Sequence, residues 1–580
     1  MIHLRIVLLV FTFISYLVHI VCGRKSQTQE HMHRCLFINE ILEGIAWDLS
    51  LAVYSADHNI EESSSRPVLP DKKSLLAFIL TCRAFCEPGL NVLWHSLDGI
   101  YPLACTFQSN VTLKIEKAPD GSRETVTGFT RIPKPHDWSR FNLYATRVRS
   151  LVQTHTNPRN VDSRFLAEIS LYRQTTNLLP NLRSLSWRDR RAEYFPYISL
   201  FTGASLKGID TYISTEDMFI AFWDLLHNAP AVDKVLISVA HFELSPLALG
   251  SQIRALSSLK HLKELRSFNL TTGSGLPELS AETLTCLSHI PTLETLKCRL
   301  RRGPIPDQLQ AVGVVPEDQF LSLQNFDVHI SDCDGVDFLI AFLKRHQLPR
   351  LTRILILLRW QPPAALLRSL FQALAGNAQL TSIWFHLRLG AGVQNRHTSY
   401  IITDSTLQPL FTLPLQFFCL IGFPHNIGKI TISKMAKSWP DLVELGICLS
   451  SSYNVTGVSD RLHIQDLEIL ADGCHSLRQM MVDFVMEVTD RVEAGIKSGR
   501  SCLAERLTLY IGNPILPSAV GQVKIAGFLT GLFPNVRVFP YIKYRPGQAV
   551  EMKPIDDFIE IVEVFRKSRA QEFAENRLTN

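Results

Sequence analysis

A six-residue cadence, apolar at positions one, four and six, returns along most of this 580-residue chain and restricts its fold more than any other feature. It reads LRSLSW from Leu182, LRSFNL from Leu265, LETLKC from Leu293, LQNFDV from Leu323, LTRILI from Leu351 and LTSIWF from Leu380. LQFFCL from Leu415, LVELGI from Leu442 and LRQMMV from Leu477 continue it, and looser copies start at Val148, Leu206, Val232, Ala504 and Val536. Consecutive starts lie 24 to 35 residues apart, with central steps of 28, 30, 28 and 29. Alternation of this kind marks a strand with one buried face. Between the cadences lie segments with helical spacing, among them STEDMFIAFWDLLHNAP, DGVDFLIAFLKRHQLP and PPAALLRSLFQALAGNAQ. Several open on a capping side chain (Ser214 or Thr215, Asp334) or close to Pro362, and several end before Pro or Gly. A strand–helix unit of this size cannot bury its apolar face alone. It must stack on its neighbours, which predicts an α/β solenoid with a parallel sheet.

Composition narrows the function classes. With 46% hydrophobic residues the chain has enough apolar material for a large core, so global disorder is excluded. The balance of 59 basic against 54 acidic residues, a net charge of +5, argues against a nucleic-acid binder built on a basic stripe. Twelve cysteines in 580 residues form no dense, even framework, so they do not constitute a disulfide scaffold.

The strand–turn–helix–return unit resembles the leucine-rich repeat, over about two thirds of the chain. The resemblance implies a curved parallel sheet with helices on the convex side. It departs from that family at the slot after the cadence where Asn or Cys is usual, which holds Arg301, Arg359 and Arg388 here. An extracellular cysteine cap is also missing, which favours a cytosolic or nuclear setting. Strand alternation sends positions four and six inward and the intervening side chains to the other face. The candidate target-binding residues on that face are Arg188, Lys297, Arg299, Asp327, His329, Trp384, His386 and Asp483. Its mixed charge favours a protein partner, and Trp384 beside His386 suits a recognition centre. The array is expected over 148–545, followed by a C-terminal capping helix within 546–580, where IDDFIEIVEVFRKSRAQEFAENRL alternates charges along an amphipathic pattern.

Ahead of the array, 32–103 has the pattern of a small helical module and 104–147 that of a connecting region. CLFINEILEGIAWDL and LLAFILTCRAFCEPGLNVLW flank a polar, proline-containing insert at 55–73, and Pro88–Gly89 is expected to divide the last helical segment in two. These segments resemble the F-box, whose pattern is a Leu-Pro-x-Glu-Ile-Leu opening, a Leu-rich second helix, a Cys-Arg-x-Phe/Trp element and a closing Leu-Trp. Asn39 stands where proline is usual, and the insert lengthens the first connection. In that family the module packs against the Skp adaptor of a cullin-type ubiquitin ligase. The resemblance therefore implies Leu36, Ile38, Ile41, Leu42, Leu75, Leu80, Phe85, Leu93 and Trp94 as adaptor-binding or core positions. An F-box followed by degenerate leucine-rich repeats also resembles the large families of such proteins in mushroom-forming fungi.

The first 31 residues point elsewhere. His3 and Arg5 precede an uncharged run from Ile6 to Gly23, followed by Arg24 and Lys25, which has the chemistry of a signal peptide or short anchor. Either this segment targets the chain to the secretory pathway or membrane, or the working protein starts at Met32. Three sequons, at Asn110, Asn269 and Asn454, are about as many as chance provides and decide nothing.

No catalytic constellation emerges. GFPHNIGKIT from Gly422 has five residues between its glycines where a phosphate-binding loop needs four, and Ile430 where that loop needs Ser or Thr. Neither a Gly-x-Ser-x-Gly elbow nor a His-Glu-x-x-His helix occurs, and HMHRC and Cys82/Cys86 lack a second cluster at zinc spacing. The sequence thus predicts a non-catalytic protein without cofactor or metal. Its expected role is substrate recognition in a Skp–cullin–F-box ubiquitin ligase, with a protein target, no nucleic acid, and a membrane only if residues 6–23 are a retained anchor. The alternative is a leucine-rich-repeat interaction scaffold outside ubiquitin chemistry, anchored or secreted through its amino terminus.

Overall fold

The computed structural model describes residues 38–50, 72–107, 113–117, 123–229, 231–239, 245–268, 281–300, 320–346, 348–388, 400–448, 462–482, 484, 486, 507–511, 518–540, 557–568 and 571. Residues 1–31, the three sequon asparagines, Leu36 and Asp483 lie outside the described residues. Two compact units are present, the first comprising Met1–His261 with Asn269–Gly275, the second Leu262–Phe268 with Leu276–Asn580.

The described part of the first unit begins with helices α1 (Asn39–Ser50), α2 (Lys72–Thr81) and α3 (Arg83–His95). Their core is Leu42, Ala46, Leu75, Phe78, Phe85 and Val92, with the Phe78 and Phe85 rings stacked at 4.6 Å. The expected break at Pro88–Gly89 is not there. Helix α3 runs through both residues, and the chain breaks instead at Cys82, whose backbone is extended. Pro88 forfeits a single intrahelical N–H bond, and Gly89 leaves room for Ile79 of α2, with which a Cβ would collide. Burial of this close helix contact outweighs the local breaker signal.

Eight strands follow in the same unit: β1 (Ser96–Asp98), β2 (Leu113–Lys117), β3 (Glu124–Phe129), β4 (Ser150–Gln153), β5 (Arg159–Val161), β6 (Ser184–Trp187), β7 (Gly208–Ile213) and β8 (Lys234–Val239). Strands β1, β4, β6, β7 and β8 pair in that order, all parallel. The sheet therefore begins at Ser96, directly after α3 and without a linker. Strands β2 and β3, between β1 and β4, join β5, which follows β4, in a second small sheet, with β3 antiparallel to β2 and parallel to β5. Phe107, Phe129, Trp138 and Phe141 pack together beside it. This segment lacks the cadence, so nothing in the repeat signal marked it as structured.

The second unit stacks ten parallel strands in chain order: β9 (Glu264–Phe268), β10 (Thr295–Arg299), β11 (Asn325–Ile330), β12 (Arg353–Leu358), β13 (Ser382–Leu387), β14 (Phe417–Ile421), β15 (Glu444–Cys448), β16 (Gln479–Val482), β17 (Thr508–Ile511) and β18 (Arg537–Pro540). Cadence positions four and six form buried rows in register, such as Leu296, Phe326, Ile354, Ile383, Phe418, Leu445 and Met480. Each such side chain contributes about 1.5–3 kcal/mol by leaving water, but only when its neighbours supply the wall. A helix at 557–568 buries Phe558 and Val562 and sets Glu563 near Arg537 of the last strand.

Three details of register and capping differ from the sequence expectation. Leu265 pairs with Leu296 and therefore holds position four, which makes Leu262 the anchor of that repeat. The run LKEL presents leucines three apart in two frames, and only cross-strand pairing chooses between them. In the copies at Ala504 and Val536, Leu509 and Val538 align with Met480, so the preceding apolar anchors, Leu507 and Val536, stand two residues ahead instead of three. The helix Cys333–Arg345 is capped by Asp332, which accepts the Gly335 N–H at 3.0 Å, while Asp334 lies in its first turn. Thr215, not Ser214, caps Glu216–His227, its hydroxyl accepting the Met218 N–H at 3.3 Å. Thr215→Ala is expected to cost about 1 kcal/mol locally, seen as faster amide exchange across that helix. Unchanged exchange would remove the cap from the account.

Candidate interaction surfaces

The helical module divides the apolar residues singled out in it. Leu42, Leu75 and Phe85 are core, and Leu93 packs against that core. Trp94 stacks on Tyr144 with ring centroids 4.4 Å apart, so it fastens α3 to the rest of its own unit and is not turned outward. Ile38, Ile41 and Leu80 instead reach solvent, at 43%, 42% and 74% exposure, together with Leu76 at 50%. Leu75, Leu76, Ile79 and Leu80, all at helical spacing, divide into two stripes: 75 and 79 face inward, 76 and 80 outward. Both pairs have helical spacing, so periodicity could find the stripes but not assign their directions. Ile38, Ile41, Leu76 and Leu80 are therefore large apolar side chains left outside the module's own core.

Within the module Asn91 donates to Glu43 Oε1 at 2.8 Å and Trp47 meets the His95 ring edge-on at 4.8 Å, while Arg147, ahead of β4, pairs with Glu87 of α3 at 2.5 Å. Glu43, Trp47, Asn91, His95 and Arg147 border a cavity of about 430 Å³ that Arg149 and Asn181 also line. Burial, with Arg149 and Arg183 nearby, lowers the His95 pKa, so its imidazole is neutral at pH 7.

On the sheet, the candidate target-binding residues fall into different situations. Arg188 lies on the predicted face, but its guanidinium is taken up by Asp210 of the next strand, at 2.8 and 2.6 Å. In the second unit, Lys297, Asp327, Leu355 and Trp384 stand side by side across β10–β13, and Arg299, His329, Leu357 and His386 form the next row. Trp384 is half-buried and its Nε1–H donates to Ser382 Oγ at 3.1 Å. Arg299 is a correction: it is only 5% exposed, its Nη2 donating to Ser331 Oγ. A position at the strand end lets a long side chain lie along the sheet, which alternation alone does not anticipate. Burial first, then Lys297, Arg359, Arg299 and Arg388, hold the His329 pKa at about 4.

Sequence reasoning noted Arg359 and Arg388 only as departures from the repeat pattern. Both are exposed, and the Arg388 N–H donates to Leu358 O at 2.8 Å, which places the two arginines beside each other just past the ends of β12 and β13. Among the described residues no group of three or more His, Cys, Asp or Glu side chains is placed to hold a metal ion, and no helix is long and apolar enough to cross a membrane. The chain matches no protein-family model and no curated protein.

Proposed function

We propose that this chain is the substrate-recognition subunit of a Skp–cullin–F-box-type ubiquitin ligase, of the kind found in mushroom-forming fungi. In this reading the α1–α3 module docks on the Skp adaptor, the repeat sheet holds a protein target, and the chain itself performs no chemistry. Its setting is the cytoplasm or nucleus if the chain functions from Met32. The observation that carries the reading is that so small a module fills its own core and still leaves large apolar side chains outside it. Leu42, Leu75 and Phe85 satisfy its own core, yet Ile38, Ile41, Leu76 and Leu80 remain outside. Because α3 passes straight into β1, a docked adaptor would be joined to the first repeats without a flexible link. Joining the two binding surfaces in one chain raises the effective concentration of target at the ligase without new contacts.

The test is affinity capture of the full chain, with Skp and cullin as expected partners. Ile41→Asp and Leu80→Asp should each reduce Skp capture about tenfold or more, since an apolar side chain buried at an interface contributes about 1.5–3 kcal/mol. Their thermal unfolding should match the parent, because neither side chain is in the core. Leu171→Asp, on an equally exposed residue of the helix Ser163–Tyr172, should leave capture unchanged. Parent protein that captures neither Skp nor cullin, or that carries N-glycans or a cleaved amino terminus, would sink the proposal.

A further inference from the structure

At the carboxyl ends of β10–β13 the sheet gathers positive charge. Lys297 and Arg299 come from β10, while Arg359 and Arg388 follow β12 and β13 as exposed neighbours. Adjacent strands lie about 4.8 Å apart, so Arg359 and Arg388 are near neighbours on the surface, while Lys297 is half-buried and Arg299 buried on β10, two strands from β12. Asp327 pairs in register with Lys297, and Asp332 is turned to its helix terminus at Gly335. Among the described residues no carboxylate pairs with Arg359 or Arg388. The contrast with the first unit is informative, since Arg188 there is neutralised by Asp210 on the adjacent strand. His329, within the patch, is held neutral partly by these same four cations, which reports the sign of the local potential. Beside the charges lie Leu355, Leu357 and the half-buried Trp384.

Clustered cations repel one another, and an anion placed among them removes that cost. We propose that this patch binds an acidic segment of a protein target, with carboxylate or phosphate groups against Arg359 and Arg388 and an adjoining apolar side chain against Trp384. The proposal rests on the reading that the repeat sheet captures a protein, and it names the chemistry of what is captured. The exposed pair occupies two adjacent strand ends and borders apolar surface, which suits a short peptide better than the run of phosphates of a nucleic-acid backbone.

The experiment uses the full chain and three fluorescent Gly-Ser peptides, carrying adjacent phosphoserines, a run of Glu, or a run of Lys. The phosphoserine or Glu peptide should bind, more weakly as salt rises, and the Lys peptide should not. Binding by the phosphoserine peptide alone identifies phosphate as the anion; equal binding by both identifies charge as sufficient. Combined Arg359→Glu and Arg388→Glu should weaken binding at least about tenfold, both sites being exposed and tolerant of substitution. Arg368→Glu, an exposed cation on the helix Ala364–Leu374, should leave it unchanged. Skp capture is measured in parallel: its loss with peptide binding intact would overturn the ligase reading and leave the patch. Failure of both acidic peptides to bind, equal loss in Arg368→Glu, or tighter binding of a single-stranded RNA of matched charge would overturn the patch.

Discussion

Replacing Gly422 by alanine is expected to destabilise the second unit by about 2–4 kcal/mol, seen as a lower urea midpoint of the full chain. Gly422 follows β14 with φ at +88°, a region that L side chains rarely adopt. A Cβ there would lie 2.5 Å from the carbonyl oxygen of Leu387, which is backbone and cannot rotate away. The Gly422 N–H also donates to Cys448 O at 2.7 Å, so a shift that relieves the clash strains the joint to β15. Two penalties therefore act at one residue. Gly250→Ala is the matched control, because that glycine sits in the helix Pro246–Ser258 with open space where a Cβ would go. There the substitution should be neutral or stabilise by up to about 1 kcal/mol. Equal midpoints for Gly422→Ala and the parent would refute the strain argument.

Acidification is the second large effect. His329 and His346 are both held at about 4, first by burial, then by Lys297 and the neighbouring arginines for His329 and by Arg345 for His346. In an unfolded chain histidine titrates near 6.5, so the unfolded state takes up these protons first. The stability tied to the two neutral imidazoles is complete above about pH 6.5 and is lost progressively as the pH falls towards 4. At most it amounts to roughly 3 kcal/mol for each. Between about pH 6.5 and 5 most carboxylates remain ionised, which makes that window diagnostic. Urea midpoints of the parent should fall across it, and those of a combined His329→Gln, His346→Gln variant should fall less. Parallel slopes would show that these imidazoles do not govern the acid response.

The two effects differ in how far they could be read beforehand. Both histidines sit in recognisable repeat segments, but nothing about an isolated His shows whether neighbouring strands bury it among cations. Gly422 was noticed as part of a failed phosphate-loop match, whereas its role is a tight backbone approach between consecutive repeats. The exposed face of the helical module has the same character. Leu75 and Leu76 are equally apolar neighbours, yet one is fully buried and the other half exposed, because α3 covers only one side of α2.

By itself the sequence determined the repeating unit, the alternation that buries positions four and six, and the helical character of the amino-terminal module. These follow from periodicity, a local property that the backbone geometry of strands and helices imposes on each segment separately. Tertiary structure alone decided which frame LKEL adopts, that the sheet starts at β1, and that β2 and β3 join β5 in a second small sheet. It also decided that Arg188 is neutralised while Arg359 and Arg388 stand together on the surface. Those outcomes depend on which residues meet across strands roughly 30 positions apart. A strand's own spacing states which face a side chain takes, and only its neighbours determine what that side chain finds there.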